Sequence, residues 1–348
     1  MQKKTATVNE QIQTMKSHGI QFTIATEQQA ARFLTQNIYF FKLKAYEQNY
    51  QKDNSQTPYQ YQGLEFAYLQ ELYAIDSTLS RAMWDFCSAI EHAMKIRFNN
   101  LLMQNRGNDY ESKCMKLMYG SSEPRFEHSS PYTDGLKIKY GHEYTIWTLW
   151  ELLTFMDQQE LYRKYLLAAK IEDPIIHLLG TVRQVRNAVS HGNCLLANMK
   201  QETPKYIETG HGDQELIHLT LRMCDKSTKR KGNKPAAFRQ SLNQLVVNNT
   251  AAVLICFLNI VDSAAMIEHA INETNTLTTR INRNRQQYFS PNYGVERTFQ
   301  SLVTLFEAFI KKAELKANAI NTGKLQDLHD DTTIYSLFRY PYKADDIK

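Results

Sequence analysis

From Leu72 to Met94 the apolar residues Leu72, Ile75, Leu79, Met83, Phe86, Ile90 and Met94 recur at steps of three and four. An α-helix turns such spacing into one face, because it brings side chains three and four apart onto the same side. A strand would need alternation, which is absent. One long amphipathic helix is therefore expected here, and the rest of the chain must pack against its apolar stripe. "TIWTLWELLTFMDQQELYRKYL" (residues 145–166) reads as another helix, or two short ones. Helical pattern returns over residues 241–271 and 298–316. Residues 104–144, rich in Gly, Ser, Pro and Tyr, read as a long loop with one short helix, and residues 197–236 as polar and irregular. With no internal repeat, the expectation is a mostly α-helical body with an appended C-terminal helical segment.

The 348 residues, 43% apolar and 11% aromatic, suffice for a sizeable core. A net charge of +5 permits a polyanionic partner without demanding one. Five scattered cysteines without a CxxC pair argue against a disulfide framework or a zinc site, and fit a reducing cytoplasm. The N-terminal "MQKKTATVNEQIQ" lacks the apolar core of a signal peptide, and the run "AAVLICF" is too short to span a bilayer, so no membrane partner is expected. There is no phosphate-binding glycine loop to support nucleotide use. His211, Asp213, His218 and Cys224 follow no common metal spacing, so neither a metal nor a cofactor is expected.

The stretch "VRQVRNAVSHGN" (residues 182–193) carries the most chemistry. Asp173 and Pro174 suit a helix start and Gly192 the residue past a helix end, which predicts a helix from about Pro174 to His191. Leu178, Val182, Val185 and Val189 form its buried stripe. Arg186 borders that stripe, while Asn187 and His191, four apart, point away from it. Metal-independent RNA cleavage needs a group that helps the 2′-hydroxyl attack the adjacent phosphorus or protonates the leaving oxygen, and histidine suits that task. It also needs a fixed cation on the phosphate, which suits arginine. An amide can orient either one. By spacing alone the same residues are equally a solvated helix end.

Two basic segments bear on RNA binding. Residues 222–239 carry Lys229, Arg230, Lys231 and Lys234 in a Gly- and Pro-containing stretch. Residues 280–297 place Arg280, Arg283 and Arg285 beside Tyr288, and arginine interleaved with aromatics is what single-stranded bases stack on. Each segment taken alone also reads as a solvated basic loop.

"RNAVSHGN" resembles the Arg-Asn-x-x-x-His signature of HEPN domains. "FFKLKAYEQNYQ", then "LQELYAIDSTLSRAMWDFCSAIEHAMKIRF" (69–98), then "WELLTFMDQQELYRKYL" (150–166), and finally the Arg-Asn helix stand in the order of Abi-like abortive-infection proteins of the AbiD/AbiF type. The family's Leu-Tyr-x-x-Asp-x-x-Leu helix and its Ile-Glu pair fall on Leu72, Tyr73, Asp76, Leu79, Ile90 and Glu91. There are two departures. The arginine expected directly after Leu79 stands one place later as Arg81, and the family's basic run after the histidine is here "CLLAN".

The resemblance implies an N-terminal extension over 1–29, an Abi-like HEPN helical bundle over 30–275 and a C-terminal helical extension over 276–348. It further implies an endoribonuclease toxin of anti-phage defence, with Arg186, Asn187 and His191 as the catalytic set and Glu91 as a candidate support residue facing the motif helix. RNA is then the substrate and a small noncoding RNA the inhibitor. Such nucleases build one site from two motifs, and one motif is found here, so a homodimer is implied. The alternative reading is a noncatalytic RNA-binding or sensor protein that uses the same motif to hold phosphate.

Overall fold

The apolar spacing after Leu72 does produce one long helix, and all seven residues of its stripe are buried. The computed structural model describes residues 5–120, 130–140, 144–203, 212–225, 237–330 and 341–343. Among these, sixteen α-helices occur, with little sheet. The first part of the chain forms α1 (Val8–Ser17), α2 (Glu27–Gln36), α3 (Phe40–Ala45) and the long α4 (Phe66–Gln104). Next come α5 (Tyr110–Tyr119), α6 (Asp134–Tyr140), α7 (Ile146–Leu152), α8 (Phe155–Ala169) and α9 (Ile176–Ser190). They are followed by α10 (Gly212–Met223), α11 (Ala237–Ser241), α12 (Leu245–Ile260) and α13 (Ala264–Arg283). The last helices are α14 (Arg285–Tyr288), α15 (Tyr293–Asn321) and α16 (Leu325–Asp330). Two short antiparallel pairs also form, Lys52–Asp53 with Gln60–Tyr61 and Ile171–Glu172 with Tyr342–Lys343. The mostly α-helical bundle expected from the sequence is what forms.

Local signals explain several boundaries. Thr145 caps α7 and Thr154 caps α8, each accepting a backbone N–H from three residues on, so residues 145–166 form two helices and not one. Two expectations need correction. Residues 104–144 contain two helices, α5 and α6, where one was expected. Residues 197–236, read as irregular, contain α10. In "LIHLTLRM" the apolar residues Ile217, Leu219, Leu221 and Met223 alternate as in a strand, yet all are buried in a helix. Packing overrides so short a local pattern.

The chain divides into two compact units. One draws on Met1–Trp84, Asn187–Ala251 and His269–Lys311, the other on Asp85–Arg186, Ala252–Glu268 and Lys312–Lys348. In the first, Phe289 and Phe299 meet at 5.0 Å in the core, and Phe33 approaches Phe66 edge-on. In the second, Phe98 is surrounded by Trp150, Tyr162 and Tyr165 at 4.8–5.0 Å. Buried Arg97 of α4 bonds to Asp173 at 3.1 Å and to both the side chain and the carbonyl of Asn259. Asp173 also accepts from the Tyr162 hydroxyl and the Ile175 N–H. It thus holds the turn just before α9, which starts at Ile176 and not at Pro174 as expected, and it neutralises a buried arginine as well. Lys316 donates to the Leu258 carbonyl near the end of α12 and pairs with Asp262, and burial pulls its ammonium down to about 8. Among the described residues no helix is long and apolar enough to cross a membrane.

Candidate functional site

The motif lies where α9 ends. Leu178, Leu179, Val182 and Val185 are buried, while Arg186 is partly exposed and Asn187 and His191 are exposed. The helix then stops by a two-bond αL closure. Gly192 N–H bonds to Val189 O and Asn193 N–H to Ala188 O, with Gly192 at φ +65°. A glycine reaches that conformation without the penalty a Cβ would bring. His191 is thus the C-cap residue, its own N–H bonded to Asn187 O at 3.0 Å.

The division between the units falls between Arg186 and Asn187. On the Arg186 side, α4 presents Cys87 and Glu91 to α9. Cys87 Sγ lies 3.6 Å from Val182 O, and a carboxylate oxygen of Glu91 lies 3.9 Å from the Arg186 guanidinium. The structure therefore brings Glu91 and Arg186 together. Burial pushes the Cys87 thiol up to about 12, so it is no ready nucleophile.

On the Asn187 side, the residues just after the motif dock on α3 and the first half of α4. Asp76 accepts from the Tyr46 hydroxyl at 2.6 Å and the Leu195 N–H at 3.1 Å. Asn49 accepts from the Met199 N–H and donates to the Leu196 carbonyl. Tyr46, Asp76 and Leu195 come from three blocks far apart in sequence, and the fold closes them into one buried polar knot. Burial raises the Asp76 carboxyl to about 6, against the lowering effect of those hydrogen bonds and of nearby Lys42. A cavity of about 290 Å³ opens beside this knot, lined by Lys42, Ser77, Ser80, Arg81, Gly192 and Asn193. Sequence reasoning left Lys42 unremarked and treated Arg81 only as a displaced arginine. A lysine or arginine in amphipathic sequence carries no local sign of the cavity it will face.

The other expected RNA-binding residues are distributed differently. Arg280 forms a two-bond pair with Glu71 at 2.6 and 2.7 Å, and Arg285 pairs with Glu296 at 2.6 Å. Arg283 is exposed, and Tyr288 packs on Tyr68 with ring centres 5.3 Å apart. Lys229, Arg230, Lys231 and Lys234 lie outside the described residues. Among the described residues no group of three or more His, Cys, Asp or Glu side chains is placed to hold a metal ion. A larger cavity, about 590 Å³, lies between α4 and the end of α12 and includes none of the motif residues.

No curated protein and no solved structure matches the chain. One family does, over just under half of the 348 residues, from within α2 through the turn that follows α9. Residues 32–197 match the family model described as Abi-like protein, and this match supports an Abi-like family for the chain.

Proposed function

We propose that this protein is a metal-independent endoribonuclease of the HEPN type, acting in abortive infection, with Arg186, Asn187 and His191 as its catalytic set. The observation that carries the reading is that the polar residues of the motif sit off the buried stripe at the end of α9, Arg186 partly exposed and Asn187 and His191 exposed. In the reaction the 2′-oxygen attacks the adjacent phosphorus and the bond to the 5′-oxygen breaks. The 2′-hydroxyl proton is lost and a proton reaches the leaving oxygen, giving a 2′,3′-cyclic phosphate and a 5′-hydroxyl. His191 serves one of these proton transfers. Arg186, steadied by Glu91, offsets the charge that builds on the phosphoryl oxygens. Asn187 orients its neighbours. The Abi-like match suggests the abortive-infection role. A second copy of the chain supplies the second motif, and a small noncoding RNA restrains the enzyme.

The test is cleavage of single-stranded RNA by purified protein in EDTA. Wild-type protein is expected to cut and His191→Ala to lose at least a hundredfold, within the roughly 10²–10⁴-fold worth of a proton-transfer group. The thermal midpoint of the variant should stay within a degree or two of the parent. Activity that required an added divalent ion would overturn the reading.

A further inference from the structure

We propose that the cavity lined by Lys42 and Arg81 binds a phosphate of single-stranded RNA, and that Tyr39 and Phe41 stack on the neighbouring bases. Two cationic residues, Lys42 and Arg81, line one opening of about 290 Å³ together with Ser77 and Ser80. Among the described residues neither the Lys42 ammonium nor the Arg81 guanidinium makes an ion pair or hydrogen bond, although Lys42 stands 5.9 Å over the Tyr73 ring and acts on Asp76 through space. Lys42 is not needed to close α9 either. Its Nζ lies 3.9 Å from where a Cβ on Gly192 would sit, but the carbonyls of Asn187, Ala188 and Val189 already accept from His191, Asn193 and Gly192. The only carboxylate at the cavity wall, Asp76, is turned to Tyr46 and Leu195. The cavity is therefore cationic toward a ligand.

The aromatics next to Lys42 in sequence point the same way. Phe41 is 81% exposed and Tyr39 65% exposed, both at the start of α3. Large exposed rings flanking cations are what single-stranded bases stack on, whereas the cations track the backbone. Gly192 and Asn193 directly follow His191, so a strand seated here passes the motif.

This inference rests on the part of the proposed function that makes RNA the ligand, and the test separates it from cleavage. A labelled single-stranded RNA of about twelve nucleotides is titrated with full-length His191→Ala protein, which leaves the strand intact, over a range of salt. Adding Arg81→Ala or Lys42→Ala should each lower the slope of log affinity against log salt by about 0.7, the loss expected for one phosphate contact on a single strand. Phe41→Ala should weaken binding roughly five- to a hundredfold while leaving that slope unchanged, because stacking releases no counterions. Its exposure means the fold should survive, which thermal melting checks. Variants that bind like the parent would overturn the proposal even if wild-type protein cuts RNA. Loss of binding in a protein that never cuts would support it and remove the cleavage reading alone. A Phe41→Ala protein with unchanged RNA affinity but a smaller sedimenting species would assign the aromatics to a second copy instead, which also overturns it.

Discussion

Asp76 carries a cost that its hydrogen bonds only partly offset. Its carboxyl is raised to about 6 by burial, whereas the unfolded chain holds an aspartate near 3.9. Between those values the folded chain binds a proton that the unfolded chain does not. Stability from this group is therefore fully present below about 3.9 and is lost as pH rises through about 6. At neutral pH the ionised carboxylate is a burden of about 3 kcal/mol at most. Asp76→Asn keeps an acceptor for the Leu195 N–H and a partner for Tyr46 without the charge. In denaturant unfolding at pH 7 the variant should match or exceed the parent, and the parent should gain on it as pH falls toward 5. A variant that lost 2 kcal/mol or more at pH 7 would mean that the charge-assisted bonds outweigh burial.

At the scale of elements, Arg97 is the tie among helices of its unit. It joins α4 to Asp173 at the entry of α9 and to the end of α12 through Asn259, with both members of the ion pair buried. Removing one partner leaves a buried charge uncompensated, which costs about 3–5 kcal/mol. Arg97→Met should show that loss in chemical unfolding, and Arg97→Met with Asp173→Asn should recover part of it, because no charge then remains stranded. A single-variant loss under about 1 kcal/mol would indicate that Asp173 finds water or another donor. Across these elements the local signals were legible. The stripe of α4 and the Gly192 stop of α9 can be read directly from spacing and residue type. The split between α7 and α8 follows from Thr154. By contrast α10 was illegible, since its strand-like alternation gains helical meaning only from the surfaces that bury it.

For the molecule as a whole, the proposed toxin activity predicts a phenotype. Induced expression of wild-type protein in a bacterial host should slow growth, whereas His191→Ala at equal abundance should not. Equal growth of both cultures, with both proteins folded, would count against an enzymatic toxin and favour a binding protein. The exposed residues of the motif and the cavity residues Lys42 and Arg81 were unequally legible. The motif is contiguous, so one helix is enough to place Arg186, Asn187 and His191. The cavity residues are separated by 39 positions in the chain and meet only when α3 packs on α4.

The sequence by itself determined what depends on neighbours a few residues away: helical class, the buried stripe of α4, that of α9 as far as Val185 though not Val189, and the exposed end of α9. Capping and periodicity sustained over several turns are short-range effects that hold in most tertiary settings, unlike the short alternation of α10. The tertiary structure alone decided which charges are engaged. Arg280 was expected to bind RNA, yet it finds Glu71, 209 residues away, while Arg81, noted in the sequence only as a displaced arginine, opens on a cavity. A charged side chain is a partner, a burden or a binding group according to what long-range packing places beside it, and that Coulombic and desolvation balance cannot be read from its own stretch of chain.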